Sequence, residues 1–191
     1  KVEGAGRRGR AAARLILRQP RVSRVVLGEA RAAAPVREVA RRVTAVVLAA
    51  GESRRMGANK LLLPWGETTV LGRTLANAGA AAVHDVLLVT GHERERVEAM
   101  VARAWEATDA DEAGSVSGGQ LSTVFNHDYA NGMLASVQAA VRALPASADA
   151  ILVMLGDQPM VTTDTIDRLL HAYAATPAGL VAPTFNGRRG N

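Results

Sequence analysis

The stretch Gly51-Glu52-Ser53-Arg54-Arg55-Met56-Gly57-Ala58-Asn59-Lys60 brackets a polar segment between two glycines, sets two arginines inside it and puts a lysine behind it. Glycine lets a backbone turn sharply and bring its N–H groups up to an anion. Arginine and lysine add charge-assisted bonds to phosphate oxygens. The chemistry this combination suits is the holding of a phosphate-bearing ligand; a solvated turn with incidental charges is the bland alternative. The loop carries no G-x-G-x-x-G, so it is not the dinucleotide fingerprint, and it is not a Walker A loop either. Lys60 is not adjacent to Gly57, and Leu61 follows it where a Ser or Thr would be needed. Far along the chain, Leu155-Gly156-Asp157-Gln158-Pro159 places a lone carboxylate behind an apolar run. A hard oxygen ligand of that kind can hold Mg²⁺, which keeps several waters and shares substrate phosphates. An Asx-type turn ahead of Pro159 accounts for the same residues without a metal.

Other polar residues separate into two groups. Asn131-Gly132 precedes an apolar helical pattern, so it reads as a loop feeding a helix N-terminus, which favours an anion or a base carbonyl nearby. A plain hairpin turn at Asn131-Gly132 is the alternative; Asn126 ends the apolar run before this loop, and Gly132, Met133 and Ser136 stand where the helical pattern begins. The histidines His84, His127 and His171 show no metal-ligand spacing. No Ser-His-Asp set is visible, and Glu93, Glu95 and Glu98 fit a solvated helix face.

These residues need elements to position them, and the chain supplies an alternation. Val43–Ala50, Asp85–Thr90, Leu121–Phe125 and Ala150–Leu155 are short apolar runs that read as buried strands. Residues 70–82, 93–105, 133–144 (stopped by Pro145) and 163–175 carry apolar positions at helical spacing. Thr162 or Thr163 caps the last of these, with Asp164 in its first turn. Residues 107–120 read as a polar loop, and Leu180–Ala182 as the start of a fifth strand. Alternation of this kind predicts an α/β fold with a mostly parallel sheet and helices on both faces. Ligands of such sheets bind outside the carboxyl ends of the strands. The candidate residues fall there, just after Ala50, Thr90, Phe125 and Leu155.

Composition narrows the classes further. Apolar residues make up 48% of the 191, enough for a core, while aromatics are only 3%, so Ala, Val and Leu must fill it. With no cysteine, there is no disulfide scaffold and no thiolate chemistry, which fits a reducing compartment and a cytoplasmic location. No apolar run approaches the roughly 20 residues that span a bilayer. The formal charge of +5 is uneven: residues 1–42 hold 12 Lys+Arg against 3 Asp+Glu, and residues 43–191 hold 11 against 15. The basic character therefore belongs to 1–42 alone and does not make the remainder a nucleic-acid binder. That leader reads as a linker or the end of an upstream domain; a targeting peptide or an arm touching an acidic surface is the alternative. Residues 43–191 form the second domain.

The string LAAGESRRMGANKLLLPWG, residues 48–66, resembles the LAAGxSxRMGxxKxL signature of the MobA-like nucleotidyltransferases, and within them most resembles the molybdenum cofactor cytidylyltransferases. The resemblance runs from about Val43 to Asn191. It implies a three-layer α/β/α sandwich, C-terminally incomplete here, because the family continues past the GRRG segment to complete the sheet and the acceptor site. It implies transfer of CMP from CTP to the terminal phosphate of the molybdopterin cofactor, with release of pyrophosphate. Arg55 and Lys60 would then bind the triphosphate, with Lys60 near the α-phosphate. Asp157 would hold Mg²⁺, with Mn²⁺ as the substitute ion. Leu48, Ala49, Ala50 and Gly51 would face base or ribose, and Thr90-Gly91-His92 is similar to the family's loop near the base. Asn126, Gly132, Met133 and Ser136 match the N…GM.SS pattern that lines the nucleotide site, except that Ala135 stands where a serine is common. Ala50 replaces the glycine of the guanylyl branch, which favours a pyrimidine. Implied partners are a molybdoenzyme client or an XdhC-like chaperone, with no nucleic acid and no membrane. A guanylyl or sugar-phosphate transferase of the same fold, or a non-catalytic nucleotide-binding module of a fusion protein, remains the alternative.

Overall fold

The structure is a computed structural model and describes residues 2–3, 24–28, 37–40, 42–52, 58–109, 120–175 and 179–189. The chain divides into two compact units, one of residues 43–166 and one of residues 1–42 with 167–191.

The first unit is built on four parallel strands. β4 (Val43–Ala49) is buried at every position, as a β-branched run closed by small residues should be when helices cover both faces. It pairs on one side with β7 (Asp85–Thr90), which in turn pairs with β8 (Leu121–Phe125). On its other side it pairs with β9 (Ala150–Leu155). The order is β8-β7-β4-β9. The chain thus steps outward twice from β4 and then returns across it. That reversal creates a crevice at the carboxyl ends of β4 and its neighbours, where ligands of doubly wound sheets bind.

Side-chain alternation along the strands builds two cores. Val46 and Leu48 of β4 and Leu87 and Val89 of β7 face α3 (Met133–Ala143) through Ala140, with Val124, Val137, Ile151 and Leu155 packed around them. The other face carries α1 (Val70–Gly79) and α2 (Arg94–Asp109). Leu71, Leu75 and Ala78 of α1 and Val97 and Val101 of α2 are buried there. Thr90 projects to that face and donates to Glu98 of α2 at 3.0 Å. The result is the three-layer α/β/α arrangement expected from the sequence. Between β4 and α1 a two-stranded ribbon, β5 (Pro64–Trp65) with β6 (Thr68–Thr69), turns on Gly66 at φ 60°. Thr69 then caps α1 by accepting the Gly72 N–H at 3.0 Å.

Two expectations change. α2 continues to Asp109, so the polar loop begins later than residue 107; residues 110–119 lie outside the described residues. Leu180–Ala182 forms no strand. The chain instead makes a hairpin, β10 (Thr184–Phe185) with β11 (Arg188–Arg189). Asn186 and Gly187 at its tip have φ of 48° and 72°, the two left-handed residues that a tight two-residue hairpin requires. The local turn chemistry prevails over the short apolar run before it.

In the second unit β1 (Val2–Glu3) runs parallel to β2 (Arg24–Gly28), which runs antiparallel to β3 (Arg37–Ala40). α4 (Thr163–Ala175) begins in the first unit, where Ile166 is buried, and continues into this one. The connection between β1 and β2 contains Gly4-Ala5-Gly6-Arg7-Arg8-Gly9, so the G-x-G-x-x-G absent from the loop after β4 does occur in the chain, outside the described residues. No helix among the described residues is long and apolar enough to cross a membrane.

Candidate functional site

The loops leaving β4, β7, β8 and β9 are tied together by backbone bonds that extend the ladder past the strand ends. Gly156 N–H donates to Leu48 O at 2.9 Å, His92 N–H to Ala50 O at 3.2 Å, and Asn126 N–H to Thr90 O at 2.9 Å. Gly156 has no room for a side chain: a Cβ would sit 2.9 Å from Leu48 O and 3.1 Å from Leu71 Cδ1. The hydroxyl of Thr74 holds the Gly156 carbonyl at 3.2 Å. Asp157 therefore leaves β9 in one fixed direction, over the end of β4.

Lys60 is positioned as firmly. It opens a single 3₁₀ turn, Lys60–Leu62, capped by Asn59, whose Oδ1 accepts the Leu61 N–H at 3.1 Å. Leu61 is buried beneath the turn and anchors it. From there Lys60 Nζ donates to Asp157 Oδ2, joining two residues 97 positions apart in the chain. Both side chains remain partly open, at 43% and 30% exposure, so a ligand can reach each of them.

The pair borders a pocket of about 250 Å³ lined by Leu48, Ala49, Ala50, Gly51, Lys60, Leu61, Tyr129, Gly132, Met133, Ser136, Leu155 and Asp157. Gly51 is exposed, and among the described residues an added Cβ would meet nothing within 4 Å, which leaves its backbone open to a ligand from that side. Gly132, at φ 91°, caps α3 without any side chain and presents the helix N-terminus to the pocket, an arrangement that favours negative or carbonyl oxygen.

Nine candidate residues from the sequence thus meet in one cavity: Leu48, Ala49, Ala50, Gly51, Lys60, Gly132, Met133, Ser136 and Asp157. Thr90, Gly91 and Asn126 stand behind its wall. Thr90 and Asn126 are buried. Asn126 donates from Nδ2 to Ser136 Oγ at 3.1 Å and accepts the Asp128 N–H at 3.0 Å, fixing Ser136 from behind. Gly91 is pressed against Ala50 and Tyr129, each Cβ only 2.7 Å from where its own would be. Arg55 lies outside the described residues. Sequence reasoning missed Tyr129, Leu61 and Leu155. The last two look like plain core residues in sequence, and Tyr129 stands in a polar stretch with no pattern to single it out. Glu98 and Glu93 are also more than a solvated face. Glu98 accepts from Thr90 and from Arg94 Nε at 3.0 Å. Glu93 pairs with Arg96. The Asn59 side chain and then Arg96 hold its carboxyl below the usual glutamate range, against a smaller opposing effect of desolvation.

Among the described residues no group of three or more His, Cys, Asp or Glu side chains could cage a metal. Asp157 is the one carboxylate among the pocket's lining residues. That donor set fits an ion such as Mg²⁺ that takes one protein carboxylate and completes its shell with waters and phosphate oxygens.

Known proteins resemble this chain in sequence and in fold. Residues 45–191 match the family described as the MobA-like NTP transferase domain. The molybdenum cofactor cytidylyltransferase of Escherichia coli K12 is 28% identical over 149 residues, covering 78% of this chain and 67% of that protein. The bifunctional protein GlmU of Synechococcus sp. CC9605 is 31% identical over 140 residues, covering 72% of this chain but 28% of its own length. Rv0371c of Mycobacterium tuberculosis H37Rv superposes with a TM-score of 0.55 at 35% identity over 72% of this chain and 62% of that one. The same mycobacterial protein has been solved in complex with manganese. With residues 45–191, most of its length, matched by that one family model, and a parallel sheet of the order β8-β7-β4-β9 beneath the pocket, this protein belongs to the MobA-like NTP transferase domain family.

Proposed function

We propose that this nucleotidyltransferase domain moves a CMP group from CTP to the terminal phosphate of the molybdopterin cofactor and releases pyrophosphate. The observation that carries the reading is the convergence of Lys60 and Asp157 on one pocket over the ends of β4 and β9. The likeness to the Escherichia coli cytidylyltransferase supplies the substrate class.

In the reaction an oxygen of the acceptor phosphate attacks the α-phosphorus of CTP. The bond from that phosphorus to the bridging oxygen of the β-phosphate breaks, and pyrophosphate leaves with the electron pair. The nucleophile is already an anion, so no strong general base is required. The barrier lies in bringing two polyanions together and stabilising the charge that develops on the leaving group, which preorganised cations and N–H groups lower. Lys60 neutralises the triphosphate next to the α-phosphorus. The open backbone at Gly51 and the first turn of α3 orient the nucleotide. Ala50 narrows the base end by one methyl relative to a glycine, a preference of about 1–3 kcal/mol at most. Asp157 would hold Mg²⁺ or Mn²⁺, which supplies Lewis-acid charge to the phosphoryl oxygens. The product calls for a molybdoenzyme client or an XdhC-like chaperone to receive it, in the cytoplasm.

Lys60→Ala tests this directly. It is expected to cut CTP- and molybdopterin-dependent pyrophosphate release by about 10²–10³-fold with an unchanged melting temperature, since the side chain is partly exposed. Turnover that survives the substitution rejects the assignment. Calorimetry with CTP, GTP and ATP decides the base, and tighter binding of GTP than CTP would reject the cytidylyl reading.

A further inference from the structure

The turn that leaves β7 touches the segment that carries Gly51 and Lys60. His92 N–H holds the carbonyl of Ala50. One residue on, Glu93 adopts φ 52°, a left-handed conformation unusual for a residue with a side chain. Its backbone bridges to Gly91, and its carbonyl accepts the Val97 N–H at 3.1 Å to start α2. The unit's second helix lies against the 3₁₀ turn of Lys60. Asn59, the cap of that turn, is 93% buried, being only 7% exposed. Its Oδ1 is taken by Leu61, while Nδ2 has no hydrogen-bond partner among the described residues. A buried amide N–H left this way is costly unless an acceptor lies near, and the carboxylate that responds to it is the half-buried Glu93, which the Asn59 side chain first of all holds below the usual glutamate range.

We propose that Glu93 and Asn59 are positioning residues: the left-handed turn after β7 aims a carboxylate at the cap of the Lys60 turn and so sets where Lys60 presents its ammonium to a nucleotide triphosphate. Neither residue is among the pocket's lining residues, so both act through Lys60. The inference rests on the nucleotide reading given above for its ligand, but its structural half stands alone.

A donor–acceptor swap tests it. Asn59→Asp keeps an oxygen for Leu61 but sets a carboxylate where an N–H faced Glu93. It is expected to weaken binding of CTP with Mg²⁺, read by calorimetry, about tenfold, and to speed hydrogen exchange at the Leu61 and Leu62 amides. Adding Glu93→Gln returns a donor to the pair and is expected to restore both. Adding Glu95→Gln returns the same net charge from an exposed position on the same helix and is expected to restore neither. Equal rescue by the two second substitutions, or unchanged exchange in Asn59→Asp alone, overturns the proposal. If the parent protein binds no CTP, the nucleotide reading falls, and the exchange rates of the four proteins still decide whether the brace exists.

Discussion

At the scale of single residues, Lys60 and Asp157 present opposite charges to one another across the pocket. A ligand that brings its own negative charge and its own cation can replace both halves of the pair at once: phosphate oxygens take the ammonium, and the metal takes the carboxylate. A free nucleotide replaces one half and leaves the other opposed to it. Because such coupling is reciprocal, Mg²⁺ is expected to tighten nucleotide binding in this protein. Asp157→Asn is expected to uncouple the two. Calorimetry on that variant should show CTP affinity that no longer rises with Mg²⁺, and pyrophosphate release should fall at least tenfold. An unaltered Mg²⁺ dependence would remove Asp157 from the metal site.

At the scale of elements, two glycines with opposite surroundings separate binding from packing. Gly51 lines the pocket and meets none of the described residues around the missing Cβ, whereas Gly91 is enclosed by Ala50 Cβ, Tyr129 Cβ and Ala50 O within 2.8 Å. Gly91→Ala must shift backbone and is expected to cost about 1–3 kcal/mol of stability, measured by urea unfolding. Gly51→Ala is expected to leave the unfolding midpoint in place and to weaken CTP binding, because the methyl enters the ligand's space. The reverse pattern would mean that the glycine loop is a structural turn. The same pair shows how much of the site could be read in advance. The exposed glycine stands in a polar string rich in Arg and Lys, a local signal. The packed one is recognisable only from its neighbours, which come from residues 50 and 129. Asn126 teaches the same lesson: its residue type fits a binding loop, yet the fold uses it to hold Ser136. Asn186-Gly187 carries a turn signal in two adjacent residues that the sequence reading passed over, and the apolar Leu180–Ala182 beside it drew a strand reading that the structure does not contain.

At the scale of the whole molecule, the site depends on the central strand pair. Leu88 is fully buried on β7, beside Val47 of β4 in the register. Leu88→Ala is expected to cost about 2–5 kcal/mol, to lower the melting temperature and to leave the ligand preference of the remaining folded protein unchanged. A selective loss of CTP affinity without lost stability would show that the sheet does more than support. What the sequence by itself determined is the four sheet strands and four helices between Val43 and Ala175, the glycine-bracketed polar string and the acid that follows β9, but not the β5–β6 ribbon or the 3₁₀ turns. Those features are written in hydrophobic periodicity and turn residues, which act over a few positions. What only the tertiary structure decided is the order β8-β7-β4-β9, and with it the meeting of Lys60 with Asp157, the entry of Tyr129 into the pocket and the aim of Glu93 at Asn59. Those relations join residues that are dozens of positions apart along the chain, and no local pattern of residue types records which strand end will lie beside which.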